Sequence, residues 1–418
     1  MSASYIRSDN INILSLQLTS IDGSKTYNLM NQCLTFNVYE DIMYPCVRAD
    51  FLISDSIDLV ASFPIIGEEL IKVEFGQEGF DFTTSYTFHV KSLENQKNTP
   101  QSKGKTYTLH CASEEFITNS NQFITDKMQG NSEDVVRALF KNYMKSTKNV
   151  NLGDPTKGVQ KLLFSRIRPL QAIDMVRKRS VSAKYISSSY VFFENKRGFN
   201  FCTIEYLINQ LQDNVNDKQF FVDTGQNTDG RNMNTRSIID FRNVSQVNNT
   251  QKISQGGLNN IVKRFDLLTG KVTSTQYINI EKQNQFQLAD KPLPLNTTQF
   301  EQQHNQQPAT SFLMPHSSDN PENFMDTILG SRHAFVTKMA QNIFQVFVYG
   351  DIALTAGDVI TINVNTPQGS TGPSGDNRLL AGKYLISRLR HIVINGGPNP
   401  KSYMVSMELI KGFYEDYS

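Results

Sequence analysis

The chain of 418 residues contains no tryptophan and only four cysteines. Cys33, Cys46, Cys111 and Cys202 are scattered, without the paired spacing of a disulfide framework or a thiolate metal site. Cys111 lies on the apolar face of an alternating segment and reads as a small buried hydrophobe. This usage suits a reducing compartment. Charge of one sign is also missing. Lys and Arg total 41 against 40 for Asp and Glu, a net charge of +1, so no global field draws the chain to nucleic acid or to a membrane surface. No window reaches the apolar length of a membrane-spanning helix. Residues 1–10 lack the apolar core of an export signal.

Recognisable catalytic chemistry is absent too. Gly104-Lys-Thr106 is a fragment of a phosphate-binding loop, but the full pattern needs glycine where Thr99 stands, and a strand pattern follows instead of a helix. His89 and His110 fall on neighbouring strands, yet no carboxylate or cysteine cluster completes a metal set. They read as ordinary strand histidines. Arg388-Leu-Arg-His391 places cations on one strand, where a solvated or interface-pairing face is expected in the absence of interleaved exposed aromatics. Arg177-Lys-Arg179 is a helix end. Paired catalytic carboxylates, a nucleophile elbow and a zinc helix motif are all missing. The chain does not read as an enzyme, and no cofactor or metal is expected.

What is present is one strand grammar written twice. The first copy runs Gly67–Phe75, Tyr86–Leu93 and Lys105–Cys111; the second runs Gly357–Val364, Lys383–Leu389 and Lys401–Met407. Phe88 and Tyr384 lie 296 positions apart, as do Val90 and Ile386, Leu93 and Leu389, and Tyr107 and Tyr403. The first strands are offset by 290, which leaves six extra residues in the second copy's Gly/Ser/Pro-rich loop. Loop-closure entropy grows slowly with length, so such an insertion costs little. Alternation is a degenerate pattern and coincidence is the competing reading. The duplication therefore stands as an expectation for the structure to test.

Residues 11–112 alternate with period two, the mark of sheets with one buried face. The pattern changes at Ser113. Asn131-Ser-Glu-Asp134 opens a helix with acids in its first turn, and Arg168-Pro169 opens a second with proline at a tolerated position. Tyr190–Glu194 and Gly198–Phe201 flank a turn and read as a hairpin. Strand patterning resumes at Ser237–Phe241 and from Leu258 to Val272, and Arg332 to Gln341 reads as a short helix. The domain expectation is a first β-barrel over 1–113, an inserted α/β unit over 114–232, and a second β-barrel from 233–282 and 330–418. The Gln/Asn-rich stretch 283–329 is expected to be a loop or arm. The fold class is α+β and β-dominated, with two similar antiparallel β-barrels and an inserted α/β domain.

The segment from Val348 to Lys411, with Leu354-Thr-Ala-Gly-Asp358, Gly382-Lys-Tyr-Leu-Ile386, His391 and Met407-Glu-Leu-Ile-Lys411, resembles the baseplate hub proteins of contractile-tail phages. That family includes the late control D proteins and the hub half of type VI spike proteins. Pro64-Ile-Ile-Gly-Glu68 is similar to the matching element of the first barrel, and Arg168–Asp174 with Tyr190–Glu194 resembles the inserted domain. The resemblance implies a homotrimer whose six barrels form a pseudo-six-fold ring. That ring would join a hexameric tail tube to a three-fold central spike, line a channel for DNA and tape measure protein, and contact baseplate wedge proteins. It places the protein in the virion tail baseplate, assembled in the bacterial cytoplasm. No short-period repeat follows the second barrel, so a separate spike partner is implied. The reading from a different class is a β-rich enzyme or glycan-binding protein whose site is built from distant loops.

In each first strand one face is apolar: Ile71, Val73 and Phe75, then Ile360, Ile362 and Val364. The other face carries Lys72 and Glu74, then Thr361 and Asn363. The apolar set must face a core, because a one-residue slip would expose every member. The polar four are expected to face the channel.

Overall fold

The computed structural model describes residues 11–63, 65–77, 81–98, 104–185, 187–210, 218–222, 236–245, 259–278, 310–316, 328–330, 332, 343–364, 380–395 and 401–411. The expected helix at 332–341 and the segment from 283 to 309 lie outside the described residues, save Arg332.

The amino-terminal unit is antiparallel. Its strands are β1 (Ile11–Thr19), β2 (Thr26–Asn28), β3 (Cys33–Asp41), β4 (Arg48–Asp55), β5 (Leu70–Gln77), β6 (Thr83–Asn98) and β7 (Lys105–Ala112). A one-turn helix, α1 (Leu59–Ser62), sits between β4 and β5, where the Asp55 carboxylate accepts from the Leu59 amide at 2.6 Å. The order is β3-β4-β7-β6-β5-β1-β2. Alternation fixes the inner face: Leu16, Phe36, Phe51, Val73, Phe88 and Leu109 are buried.

The middle unit follows. It contains α2 (Glu114–Asn121), β8 (Ile124–Gly130), α3 (Ser132–Leu139), β9 (Val150–Leu152), β10 (Gln160–Ile167), α4 (Pro169–Arg179), β11 (Tyr190–Asn195), β12 (Gly198–Thr203) and α5 (Ile204–Gln210). α3 continues into a π turn over Phe140–Met144. Both helix starts and the β11–β12 hairpin fall where the sequence placed them. Val135, Val136, Leu139, Ile173 and Val176 pack on Tyr190, Phe192, Phe199 and Phe201 as this unit's own core.

The carboxy-terminal sheet takes β13 (Gln219–Val222) and β14 (Ser237–Ser245). A separate three-stranded sheet is built by β15 (Asn259–Asp266), β16 (Val272–Ile278) and β17 (Thr310–His316). The main sheet then continues with β18 (Ile343–Tyr349), β19 (Val359–Val364), β20 (Gly382–Ile394) and β21 (Ser402–Ile410). The run β19-β13-β14-β18-β21-β20 closes through β19–β20 pairing into a six-stranded barrel. The stretch 283–329 is therefore more than a loop or arm, since its residues 310–316 pair in parallel with β15. β15 and β16 belong to that small sheet and not to the barrel.

The duplication is present in the topology. β3-β4-β7-β6-β5 and β14-β18-β21-β20-β19 have the same order, with every neighbour antiparallel. Ile71 faces Phe88 as Ile360 faces Tyr384, so β6 and β20 correspond at the expected 296. Both carry a bulge at one place, between Val90 and Ser92 and between Ile386 and Arg388. Two offsets differ from expectation. The first strands correspond at 289, because Gly67 stands one residue farther from its strand than Gly357 does. The last strands correspond at 298, since Val90 faces Cys111 as Ile386 faces Leu409. Tyr403 is thus the counterpart of Lys105, and Tyr107 that of Val405. The sixth strands are unlike: β1 is antiparallel to β5, whereas β13 is parallel to β19. Among the described residues the first copy has no ladder that closes it as β13 closes the second.

The two copies are welded edge to edge. β20 from Arg388 to Ile394 pairs antiparallel with β3 from Asp41 to Thr35. One apolar core runs through the weld, where Phe75 lies 6.1 Å from Tyr403 and 6.3 Å from His391. Among the described residues no helix is long and apolar enough to cross a membrane.

Candidate functional site at the junction of three units

The β11–β12 hairpin is buried on both faces. Tyr190 and Phe192 point into the middle unit, while Val191 and Phe193 meet Ile42, Ala356, Val359 and Leu385 of the two sheets. This double burial explains why the strand reads as continuously apolar. Its tip, Asn195-Lys-Arg-Gly198, is driven between the copies. Val47 donates its amide to Glu194 at 2.9 Å, and Asn195 donates its side-chain amide to the Ala356 carbonyl at 3.0 Å. Lys196 reaches the carbonyls of Ile352 and Leu354 at 2.5 and 3.2 Å. Arg197 clasps the fully buried Asp358 at 2.9 and 3.3 Å, and Lys218 holds the same carboxylate from the other side.

Glu40 sits at the centre. Its carboxylate accepts from the Lys196 amide at 2.8 Å, Thr355 Oγ1 at 2.5 Å, the Ala356 amide at 2.8 Å and Tyr86 Oη at 3.1 Å. One side chain therefore binds all three units. Burial raises its pKa, opposed by the Thr355 and Ala356 hydrogen bonds and by the Lys196 charge. Burial likewise lowers Lys196 to about 8. Nearby, Lys148 bridges Glu115 and Glu194 at 2.7 and 2.6 Å. A buried, fully partnered polar network of this kind fixes one arrangement of its members, because each donor left alone would carry its desolvation cost. The chemistry is that of a clamp.

Sequence assigned no role to Glu40, Lys196 or Asp358. Asp358 appeared only as the end of the Leu354–Asp358 segment, and the signal for the junction was the charged pair Lys196-Arg197 in a hairpin tip between apolar strands.

The residues that sequence did single out fall elsewhere. Ile71, Val73, Phe75, Ile360 and Ile362 are buried as expected. Lys72 is exposed, Glu74 and Asn363 are half-buried, and Thr361 is half-buried with its hydroxyl covered and unpartnered among the described residues. Under the 289 correspondence Lys72 matches Thr361, and Glu74 matches Asn363. Across the strand, Lys72 faces Thr87 while Thr361 faces Lys383, so each copy carries one Lys and one Thr at this pair with the strands exchanged.

His89 and His110 do not meet as a pair. His89 faces Ala112, whereas His110 holds Asp50 at 2.6 Å. Among the described residues no group of three metal-ligating side chains forms. Lys105 is engaged by Asp58 at 2.7 Å at the start of a strand, unlike a phosphate-loop lysine. On β20, Arg388 and Arg390 face outward and His391 inward. Arg388 spans the weld from Glu408 to Asp41, both at 3.0 Å. Arg390 donates to Asn37 at 3.1 Å over the Tyr39 ring. His391 is buried against Tyr403 Oη at 2.7 Å, and burial pushes its pKa down to about 3. The strand's cations thus serve the joint between copies. Arg177 closes α4 by bonding Asp174 and the Tyr190 carbonyl. All four cysteines are free and buried.

No family model matches the chain, and no curated protein matches it. Solved structures do. The tail protein from Neisseria meningitidis MC58 aligns with a TM-score of 0.56 at 10% identity, covering 95% of this chain and 96% of that one. The 43 kDa tail protein of prophage MuSo2 from Shewanella oneidensis aligns with the same TM-score and identity, covering 95% and 98%. At this identity the likeness is one of fold, and it spans both copies and the unit between them. The resemblance drawn from the sequence holds at that level: the chain has the β-dominated fold of phage tail proteins.

Proposed function

We propose that this protein is a structural, non-enzymatic hub of a contractile phage tail baseplate. Three copies form a ring of six barrels that joins a hexameric tube to a three-fold spike, borders wedge proteins and surrounds a passage for DNA and tape measure protein. The observation that carries this reading is the weld. Two copies of one five-strand unit, fused edge to edge over a continuous core and clamped by a third unit, make a rigid body with internal pseudo-symmetry. Closed three-fold symmetry acting on such a body doubles to six. The fold shared with tail proteins supports the setting.

In this reading Lys72, Glu74, Thr361 and Asn363 lie on the wall of the passage. The exchange of Lys and Thr between copies keeps one cation per barrel, and Glu74 offsets part of that charge. A strongly cationic wall would bind phosphate and slow a polyanion in transit.

The mass of the purified protein, alone and with tube protein, tests the hub. A trimer that caps tube is expected, and a protein that stays monomeric with tube present overturns the reading. Thr361→Lys with Asn363→Lys is expected to leave the particle assembled and to cut DNA delivery by about tenfold, since added phosphate contacts bind steeply. Unchanged delivery from assembled particles would remove the four residues from the wall.

A further inference from the structure

The weld between the copies uses only part of β20. Up to Ile386 the strand's outer edge is taken by β19, and from Arg388 to Ile394 it is taken by β3. β6 is built the same way. Up to Val90 its outer edge is taken by β5, Val90 donating to the Glu69 carbonyl at 2.8 Å as Ile386 donates to the Asp358 carbonyl at 2.8 Å. From Ser92 to Asn98 that edge has no ladder partner among the described residues, and residues 94–98 are exposed. These are the counterparts of the residues of β20 that form the weld, at 296 from Ser92 to Glu94 and at 295 from Lys97, after one inserted residue.

The other half of the weld is repeated too. Asn37 faces Asp50, and Asp50 faces His110; Arg242 faces Gln345, and Gln345 faces Glu408. His110 and Glu408 correspond, so Asn37 corresponds to Arg242 and β3 to β14. β13 covers only Ser237 and Ile238 of β14, and beyond them its outer edge has no ladder partner among the described residues. Each copy therefore offers one half of a joint that the chain has already made once from the other two halves.

We infer that β6 from Ser92 to Asn98 pairs antiparallel with β14 in a second copy of this chain, repeating between subunits the joint that β20 and β3 make within one. The inference rests on the trimer proposed above and names the surface that closes it. It is a head-to-tail contact, which closes into a ring when the rotation permits. The register follows from the weld. Ile392 faces Asn37 within the chain. Ile392 faces Met404, the counterpart of Thr106, and Thr106 faces Lys97, so Lys97 is placed opposite Arg242 of the neighbouring subunit. Each edge brings one acid and one base. Lys97 and Arg242 repel where they face each other, and two acids offset this: Arg242 carries Asp240 with it at 2.6 Å, and the diagonal neighbours across the new ladder are Glu94 with Arg242 and Lys97 with Asp240. Asn95, with φ of 57°, makes a second bulge in β6 that β20 lacks. A bulged, charged edge discourages indiscriminate pairing and leaves a partner of matching shape.

The test is a cross-link with an internal control. Facing residues on adjacent strands have Cβ atoms about 4.5–5.5 Å apart, within the adjustment a disulfide needs. Lys97→Cys with Arg242→Cys is oxidised and read on a non-reducing gel, beside Asn37→Cys with Ile392→Cys, whose bond forms within one chain. Lys97 and Arg242 are exposed and the four native cysteines are buried, so fold and background are both protected. Expected are linked species of two and three chains and none larger, from a protein whose wild-type mass is trimeric. Trimeric mass without the 97–242 link, while the control links, overturns the edge pairing and leaves the hub reading standing. A linked ladder running past three chains supports the edge pairing and overturns the closed ring. Monomeric mass with no link at all overturns both.

Discussion

Both copies bury an acid at the foot of the first strand and use it differently. Glu69 and Asp358 correspond, each presenting its carbonyl to the second strand, and each follows a glycine with φ near 90°. Gly67 and Gly357 hold the left-handed turn that aims the acid inward. In the first copy the Glu69 carboxylate curls back on its own loop and accepts from the amides of Ile66, Gly67 and Glu68 at 2.6, 3.0 and 3.2 Å. In the second the shorter Asp358 reaches outward, to Arg197 and Lys218 of the segments before the barrel. One position thus caps a turn in one copy and docks another unit in the other. The copies share strand order, bulge and inner face, and they diverge where a neighbour must be held.

The largest expected effect separates these two uses. Asp358→Ala leaves Lys218 and Arg197 facing a buried site without their counter-charge, a loss of about 3 kcal/mol. Glu69→Ala frees three amides of a half-buried loop that water can reach, a loss of about 1 kcal/mol. Urea denaturation measures both, and limited proteolysis between residues 104 and 222 is expected to accelerate only for Asp358→Ala. Equal losses, or equal protection, would erase the distinction between a cap and a dock.

Much of this comparison was legible from the sequence and some was not, for physical reasons. Alternation fixed the buried faces of β5, β6, β19 and β20, because a strand side chain has only two directions to point. The same period hides even-numbered slips. Lys105-Thr-Tyr107 and Lys401-Ser-Tyr403 match in text at 296, yet their ladders correspond at 298, and a two-residue slip leaves every inward residue inward. β13 was missed because four residues pairing in parallel, with the next strand and with one far downstream, carry no local mark. β17 was missed because it follows a Gln/Asn-rich run, offers only the short apolar stretch Phe312–Met314, and has its partner far upstream. The junction was missed because Glu40, Lys196 and Asp358 meet only when three units are assembled.

The slip itself sharpens the comparison with a smaller effect. Gly350 lies beside Tyr403 as Asp55 lies beside Lys105, the Gly350 amide donating to the Tyr403 carbonyl at 2.9 Å. A Cβ added at Gly350 would stand 1.9 Å from the Tyr403 ring, which is held by its hydrogen bond to His391 and by Phe75. At Asp55 a side chain is accommodated because Lys105 turns away to Asp58. Gly350→Ala is therefore expected to cost about 2 kcal/mol through overpacking, read as a lowered denaturation midpoint. A neutral result would mean that the ring has room to move and that tyrosine in place of lysine does not demand glycine beside it.

The smallest effect belongs to the exchanged pair on the outer face. Lys72 opposite Thr87 and Thr361 opposite Lys383 are the same cross-strand pair with its members traded. Rewriting the first copy to match the second, Lys72→Thr with Thr87→Lys, moves one cation by one strand and leaves the buried Ile71, Val73, Tyr86 and Phe88 untouched. Lys72 and Thr87 are both exposed, so the double change is expected to stay within about 0.5 kcal/mol of the parent. It also keeps the charge of the proposed wall, so DNA delivery by particles carrying it is expected to be normal, where Thr361→Lys with Asn363→Lys reduces it. A loss above about 1 kcal/mol would show that the two outer faces are not interchangeable, since surface pairs of this kind rarely contribute so much. Normal stability with failed delivery would instead mean that the position of the cation matters, and not only the count.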